Sequence, residues 1–131
     1  MEDRSESIDL FHNGFRAFLE ALSILAKPAE AQCEEMGDYN VAWELRDDVS
    51  AGEHLAKSNF GQLSPAEAAA VISFMPALKS VPVSELPAGS GHVANLAAMQ
   101  HASWGPLRTQ AASLLALLGP AAQRNASYFG L

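Results

Sequence analysis

Apolar residues recur at steps of three and four along most of the chain, and that spacing predicts helices nearly throughout. Ile8, Phe11, Phe15, Phe18, Leu22 and Leu25 form a first stripe that runs to Ala26. Ser5 or Ser7 is placed to cap this helix, and Asp9 in its first turn suits the helix dipole. His12 and Arg16 lie off the stripe and read as surface. Gly14 in mid-helix costs about 1 kcal/mol against Ala, which a close approach by a neighbouring helix would offset. Pro28 stops the helix and suits the first position of the next. The helical pattern then persists from Ala29 to Lys57, as one long bent helix or as two, broken at Gly37 with Asp38 capping the second.

Ser64-Pro65-Ala66-Glu67 has the cap, first-position proline and third-position acid of a capping box. The helix it opens runs towards Lys79, with Ala68, Val71, Ile72, Met75 and Leu78 inward, and Pro76 predicts a kink or an end near Met75. Residues 80–91, holding Pro82, Pro87, Gly89 and Gly91, form the longest loop. A short helix from His92 to His101 follows, with Leu96 and Met99 as its buried pair. Ser103 caps a last helix that turns Leu107, Ala111, Leu114, Leu115 and Leu118 inward and stops at Gly119-Pro120. The tail, 120–131, with Tyr128 and Phe129, either docks on the bundle or stays loose. Ser80 to Leu86 comes closest to a strand, and its prolines count against one.

The expected fold is therefore all-α: residues 1–131 as a single helical domain, a bundle of four to six helices. Composition agrees, since 49% of the residues are hydrophobic and 131 residues suffice to bury a core. Charge changes the picture more. Residues 1–57 hold 13 acids and 5 bases, whereas residues 58–131 hold 2 acids and 3 bases. A pole of that sign argues against nucleic acid or an anionic membrane as ligand and favours a cationic partner, unless the acids serve solubility alone. Cys33 is the only cysteine, which excludes an intrachain disulfide and a cysteine-based metal site. No apolar leader opens the chain, and Arg16 and Glu20 interrupt Ile8 to Ala26, so a cytoplasmic protein without a membrane span is expected.

The acids concentrate around Asp38 to Lys57. On a helix, Val41, Leu45, Val49, Gly52, Leu55 and Ala56 share one side, and Tyr39, Trp43, Asp47, Ser50 and His54 gather on the other. Two large aromatics beside acids are unusual for a plain solvated face. If residues 28–57 were continuous, Glu30–Glu34, Glu34–Asp38 and Glu44–Asp48 would be like-charge pairs costing about 0.2–0.5 kcal/mol each. Glu53–Lys57 is oriented to attract. A helix shaped only for its own stability would not carry such pairs, so Glu35, Tyr39, Trp43, Glu44, Asp47, Ser50 and His54 are the expected partner-binding residues. Asp48 falls inside the apolar arc, where a carboxylate must be paired or capped or lie at the rim. Arg108 or Arg16 from another helix would pair it structurally; direct contact with a partner is the other reading.

Catalytic and metal chemistry find little support. Gly89-Ser-Gly91 lacks the Lys and Thr of a phosphate loop. The histidines His12, His54, His92 and His101 form no metal motif, and Asp47 and His54 lie two turns, about 10 Å, apart along a helix axis. Cys33 reads as a small buried hydrophobe, its thiol held protonated by Glu30, Glu34 and Glu35. Glu44, Asp47 and Asp48 are adjacent carboxylates without a visible second wall. The expectation is no cofactor, no metal and no enzymatic activity; an enzyme built on Asp47, Asp48 and His54 ranks third among the readings.

Val41-Ala-Trp-Glu-Leu-Arg-Asp-Asp-Val-Ser-Ala-Gly-Glu-His-Leu, then Leu63-Ser-Pro, then Asn95, Met99 and His101, then Trp104-Gly-Pro-Leu-Arg108 form a layout that resembles small helical immunity proteins of bacterial contact-dependent inhibition and other polymorphic-toxin systems. The resemblance covers the middle two-thirds of the chain and carries architecture more than fixed residues. It implies a cytoplasmic, non-enzymatic inhibitor that covers the active site of a cognate toxin's C-terminal domain, often a cationic nuclease. The alternative is a helical scaffold, or a homodimer joined through Tyr39 and Trp43.

Overall fold

Helix boundaries in this chain follow the groups that satisfy the orphan backbone amides and carbonyls at each end. A computed structural model describes residues 4–37, 40–59, 61–86 and 91–126, with side chains from Asp9 onward. Its elements are α1 (Arg4–Leu25), α2 (Ala29–Met36), α3 (Val41–Ser50), α4 (Gly52–Lys57), α5 (Pro65–Lys79), a 3-10 turn (Val83–Glu85), α6 (His92–Met99), α7 (Trp104–Leu117) and α8 (Gly119–Ala126). Among the described residues there is no strand, and the fold is all-α. It has more helices than the four to six expected, because Ala51 divides a stretch that periodicity runs together and residues 119–126, expected as the helix end and a tail, form a further helix.

α1 is the central element and packs against α3, α4 and α7. Phe11, Phe15, Phe18, Leu22 and Leu25 are all buried along its inner stripe. Glycines set how closely α4 crosses it. A Cβ on Gly14 would lie 3.0 Å from Leu55 Cδ2, and one on Gly52 would lie 2.3 Å from Phe18 Cε1. Each helix thus offers a glycine to a large side chain of the other, which accounts for Gly14 in mid-helix. His12, expected at the surface, is only 6% exposed and stands edge-on to Phe11 at 5.6 Å. α8 covers that side of α1, where His12, Phe15, Arg16 and Leu19 face Ala122, Asn125 and Ala126 across a groove of about 190 Å³.

The stretch 28–57 divides into three helices. Gly37 leaves α2 at φ +84°, its N–H donating to the Cys33 carbonyl, as a glycine past a helix end does. Asp38 and Tyr39 lie outside the described residues. Asn40, rather than Asp38, caps α3 by accepting from the Trp43 N–H at 3.2 Å. The α5 capping box forms as its sequence predicts, with Ser64 Oγ accepting from Glu67 N–H at 3.1 Å and Glu67 Oε1 accepting from Ser64 N–H at 2.7 Å. α5 neither ends nor is replaced at Pro76, which sits on the exposed side, where water can take the carbonyl that the ring leaves unpartnered.

Past α5, Val81, Val83 and Leu86 are buried, so the first part of the expected loop belongs to the core. On α6 the buried residues are Asn95, Ala98 and Met99, and Leu96 is only partly buried. Ser103 does not cap α7 with its side chain; its Oγ pairs with His101 Nδ1 at 2.8 Å. Trp104, at the first position of α7, is fully buried. Gly119-Pro120 opens α8 where an end was expected. Residues 120–126 are helical and docked through buried Ala121 and Asn125; Tyr128 and Phe129 lie outside the described residues. Asn125 Nδ2 donates to Gln62 O at 3.2 Å, and Arg124 pairs with Glu67, so the α5 cap also anchors α8.

Among the described residues Pro65–Glu85, and not Ile8–Ala26, is long and apolar enough by length and composition to cross a membrane. Within it Val71, Phe74, Met75 and Leu78 are buried in the helical core.

Candidate functional site

The Asn40 cap fixes which way α3 faces. Val41, Ala42, Leu45 and Val49 are buried, Trp43, Asp47 and Asp48 are exposed, and Glu44, Arg46 and Ser50 are intermediate. Trp43 remains 40% exposed, with the Arg46 guanidinium 5.5 Å from its ring centroid. That contact is a cation–π pair at three-residue spacing, worth about 0.5–1 kcal/mol at an exposed site. Arg46 was not among the expected site residues, though its i, i+3 spacing from Trp43 could have signalled it. It holds the indole against the helix with much of the ring still open to solvent.

Ser50 turns inward on its own helix, its Oγ donating to the Asp47 carbonyl at 2.9 Å. His54 is exposed on α4, beyond the turn at Ala51, and among the described residues no hydrogen bond or ion pair joins it to Asp47 or Ser50. Among the described residues, no three of His, Cys, Asp and Glu come together as metal ligands would. On α2, Glu30, Glu34 and Glu35 are exposed, and Glu35 pairs with Lys27 across the α1–α2 turn. Tyr39 lies outside the described residues. Trp43, Asp47 and Ser50 therefore share one face of α3, and Asp48 is exposed at its far rim, about 140° round the helix from Trp43.

Asp48 corrects the expectation that it is structural. It is exposed, and among the described residues it enters no ion pair. Ala42 is the reason. Its burial swings the apolar arc about 100° beyond Val41, away from Asp48, which is left at the rim. Packed surroundings, and then the charge of Asp47, raise the Asp48 pKa above the usual carboxylate value. Arg108 points elsewhere: its Nη2 donates to Gln32 Oε1 at 3.0 Å and also to the Met99 carbonyl.

Other charges find partners that the helical repeat did not predict. Glu53 is hydrogen-bonded by Lys79 of α5 at 2.7 Å, rather than by Lys57 one turn on. The Lys79 hydrogen bond, with the charge of Lys57 as a lesser contribution, holds the Glu53 pKa below its ordinary value. Cys33 is 4% exposed, and burial, not the neighbouring glutamates, pushes its thiol pKa up. A raised thiol pKa and a closed site both oppose nucleophilic chemistry.

No protein-family model, curated protein or solved structure matches the chain.

Proposed function

We propose that this chain is an immunity-type inhibitor that binds a cationic toxin domain, a basic nuclease being the best fit, through the acidic faces of α2 and α3. The observation that carries the reading is Trp43, 40% exposed on a face that Asp47 shares one turn on. An exposed indole that a partner desolvates on binding is the kind of anchor that concentrates binding energy, while acids nearby speed encounter with a basic surface. Glu30 and Glu34 extend that field along α2, and Glu44 and His54 border it. The protein acts by occlusion without catalysing a reaction, in the cytoplasm, and takes neither nucleic acid nor membrane as its partner.

The partner is identified by a toxin gene immediately upstream, and the test is protection of cells from that toxin's C-terminal domain. Asp47→Lys and Glu44→Lys should fold as well as the parent, yet associate more slowly and with a weaker salt dependence. Trp43→Ala should shorten the lifetime of the complex. Full protection and unchanged binding by all three variants refute the reading. The same exposed indole favours a second reading, self-association through Trp43. A sedimentation experiment at high micromolar concentration separates the two, since a monomer there removes the homodimer.

A further inference from the structure

α8 lies over α1 without filling the space between them. Ala122 and Ala126, one turn apart on α8, present only methyl groups to the groove, and Phe15 and Leu19 of α1 form its opposite wall. The space left is about 190 Å³, and an apolar cavity of about 150 Å³ already holds a benzene ring. Two of the residues lining it, His12 and Asn125, are polar and buried. Asn125 is 8% exposed, and its amide nitrogen is fully committed: Nδ2 donates to Gln62 O at 3.2 Å and to Ala121 O at 2.7 Å. Those two bonds fix the amide, and among the described residues its Oδ1 accepts no hydrogen bond.

Size, polarity and charge together define what fits. A groove walled by an aromatic ring, a leucine and two alanines takes an apolar body. An acceptor on a buried side chain calls for an O–H or N–H on that body, since a polar group closed off without a partner is costly. Charge decides the rest. Burial holds His12 neutral at pH 7, so it adds no charge to the groove. Exposed Arg16 has Asp9 two turns before it and Glu20 one turn after it on the same side of α1, so that rim carries both signs and favours neither. We propose that the α1–α8 groove binds a small neutral aromatic molecule of phenol to indole size, whose O–H or N–H donates to Asn125 Oδ1. The site lies apart from the Trp43 face of α3 and does not depend on the reading of that face.

The experiment titrates the full chain with phenol and, separately, with toluene, which replaces the hydroxyl by a methyl group of similar size. Proton–nitrogen spectra follow the Asn125 side-chain amide and the backbone amides of Ala122 and Ala126, and intermolecular nuclear Overhauser effects locate the ring. Phenol should shift these signals saturably and show ring contacts to the methyl groups of Leu19, Ala122 and Ala126. Toluene should bind about fivefold more weakly, the worth of one neutral hydrogen bond. Ala126→Leu fills the groove from a half-buried position and should abolish the phenol response in a folded protein; Ala122→Leu, one turn earlier, should do the same. Signals that stay in place, toluene binding as tight as phenol, or a full phenol response in either folded variant overturns the proposal. So does contact of the same methyl groups with the ring of Tyr128 or Phe129 in the free protein, since the groove's occupant would then be the chain itself.

Discussion

Gly52→Ala tests the packing of α4 on α1 with a single methyl group. An added Cβ would lie 2.3 Å from Phe18 Cε1, 2.6 Å from Cδ1 and 2.8 Å from Cζ. Three ring atoms inside ordinary contact distance mean that the ring, not a flexible tip, must move. Phe18 is 2% exposed and Gly52 is itself buried, so neither has open space to move into. Overpacking of this kind costs about 1–3 kcal/mol. Helix propensity favours Ala over Gly by about 1 kcal/mol in a helix interior, and by less at the first position of α4. The clash wins, and the net loss should be about 1–2 kcal/mol by urea denaturation, or roughly 3–8 °C in melting temperature for a chain of this size. Gly14→Ala is the internal control. Its new Cβ meets one methyl of half-buried Leu55 at 3.0 Å, the far end of a side chain that can yield. It should be neutral or gain a few tenths of a kcal/mol from propensity. A Gly52→Ala protein as stable as the parent, or a Gly14→Ala protein that loses more, would refute the packing argument.

The remaining predictions concern titration and anchoring. His12 has its pKa lowered below the ordinary 6.5 by burial, against a smaller opposing pull from Asp9. Its contribution to stability is therefore complete above 6.5 and is lost as pH falls from there through the depressed folded value, so the urea midpoint should drop over that window and the drop should shrink in His12→Gln. Glu67 has its pKa held below the ordinary 4.5, first by the Arg124 hydrogen bond and then by the Ser64 cap. Its contribution is present above 4.5 and disappears as pH falls through the folded value; Glu67→Ala should cost about 1–2 kcal/mol at neutral pH and raise amide exchange in α8, as hydrogen-exchange mass spectrometry would show. Asp48→Asn should leave stability unchanged or improve it by a few tenths of a kcal/mol in thermal melts, since it removes repulsion from Asp47 without breaking a described contact.

Much of the fold was legible because it rests on local rules. The α1 stripe, the capping box of α5 and the inner face of α7 depend on spacing and on residues within one turn. What escaped was tertiary. The division at Ala51 carries no proline, and α8 begins with the very Gly119-Pro120 pair that ordinarily ends a helix. Pro120 ends one helix and starts another, because a missing N–H costs nothing in a first turn. Burial of His12 depends on α8 lying over α1, which no pattern within α1 encodes.

The candidate site divides along the same line. Exposure of Trp43 and Asp47 follows from helix phase and was readable; the place of Asp48 was not, because it turned on whether one small residue, Ala42, faced in or out. Arg108 escaped for a stronger reason. Charge pairing suggested a carboxylate for it, and the chain instead spends Gln32 and a carbonyl on it, which periodicity cannot reveal. The pattern of pairing among the acids is then informative in its own right. Glu35, Glu53 and Glu67 meet bases from other segments and help tie the bundle together. Glu30, Glu34, Asp47 and Asp48 are exposed on α2 and α3, and among the described residues they enter no ion pair. Acids that served stability would be distributed like the first group. Within the second group Asp47 and Asp48 repel one another, which adds to burial in raising the Asp48 pKa, and Asp47 shares a face with the open indole of Trp43. Relief of that repulsion by a basic surface adds to binding while folding gains nothing from it, and this is the physical reason for reading the α2–α3 face as a place of contact.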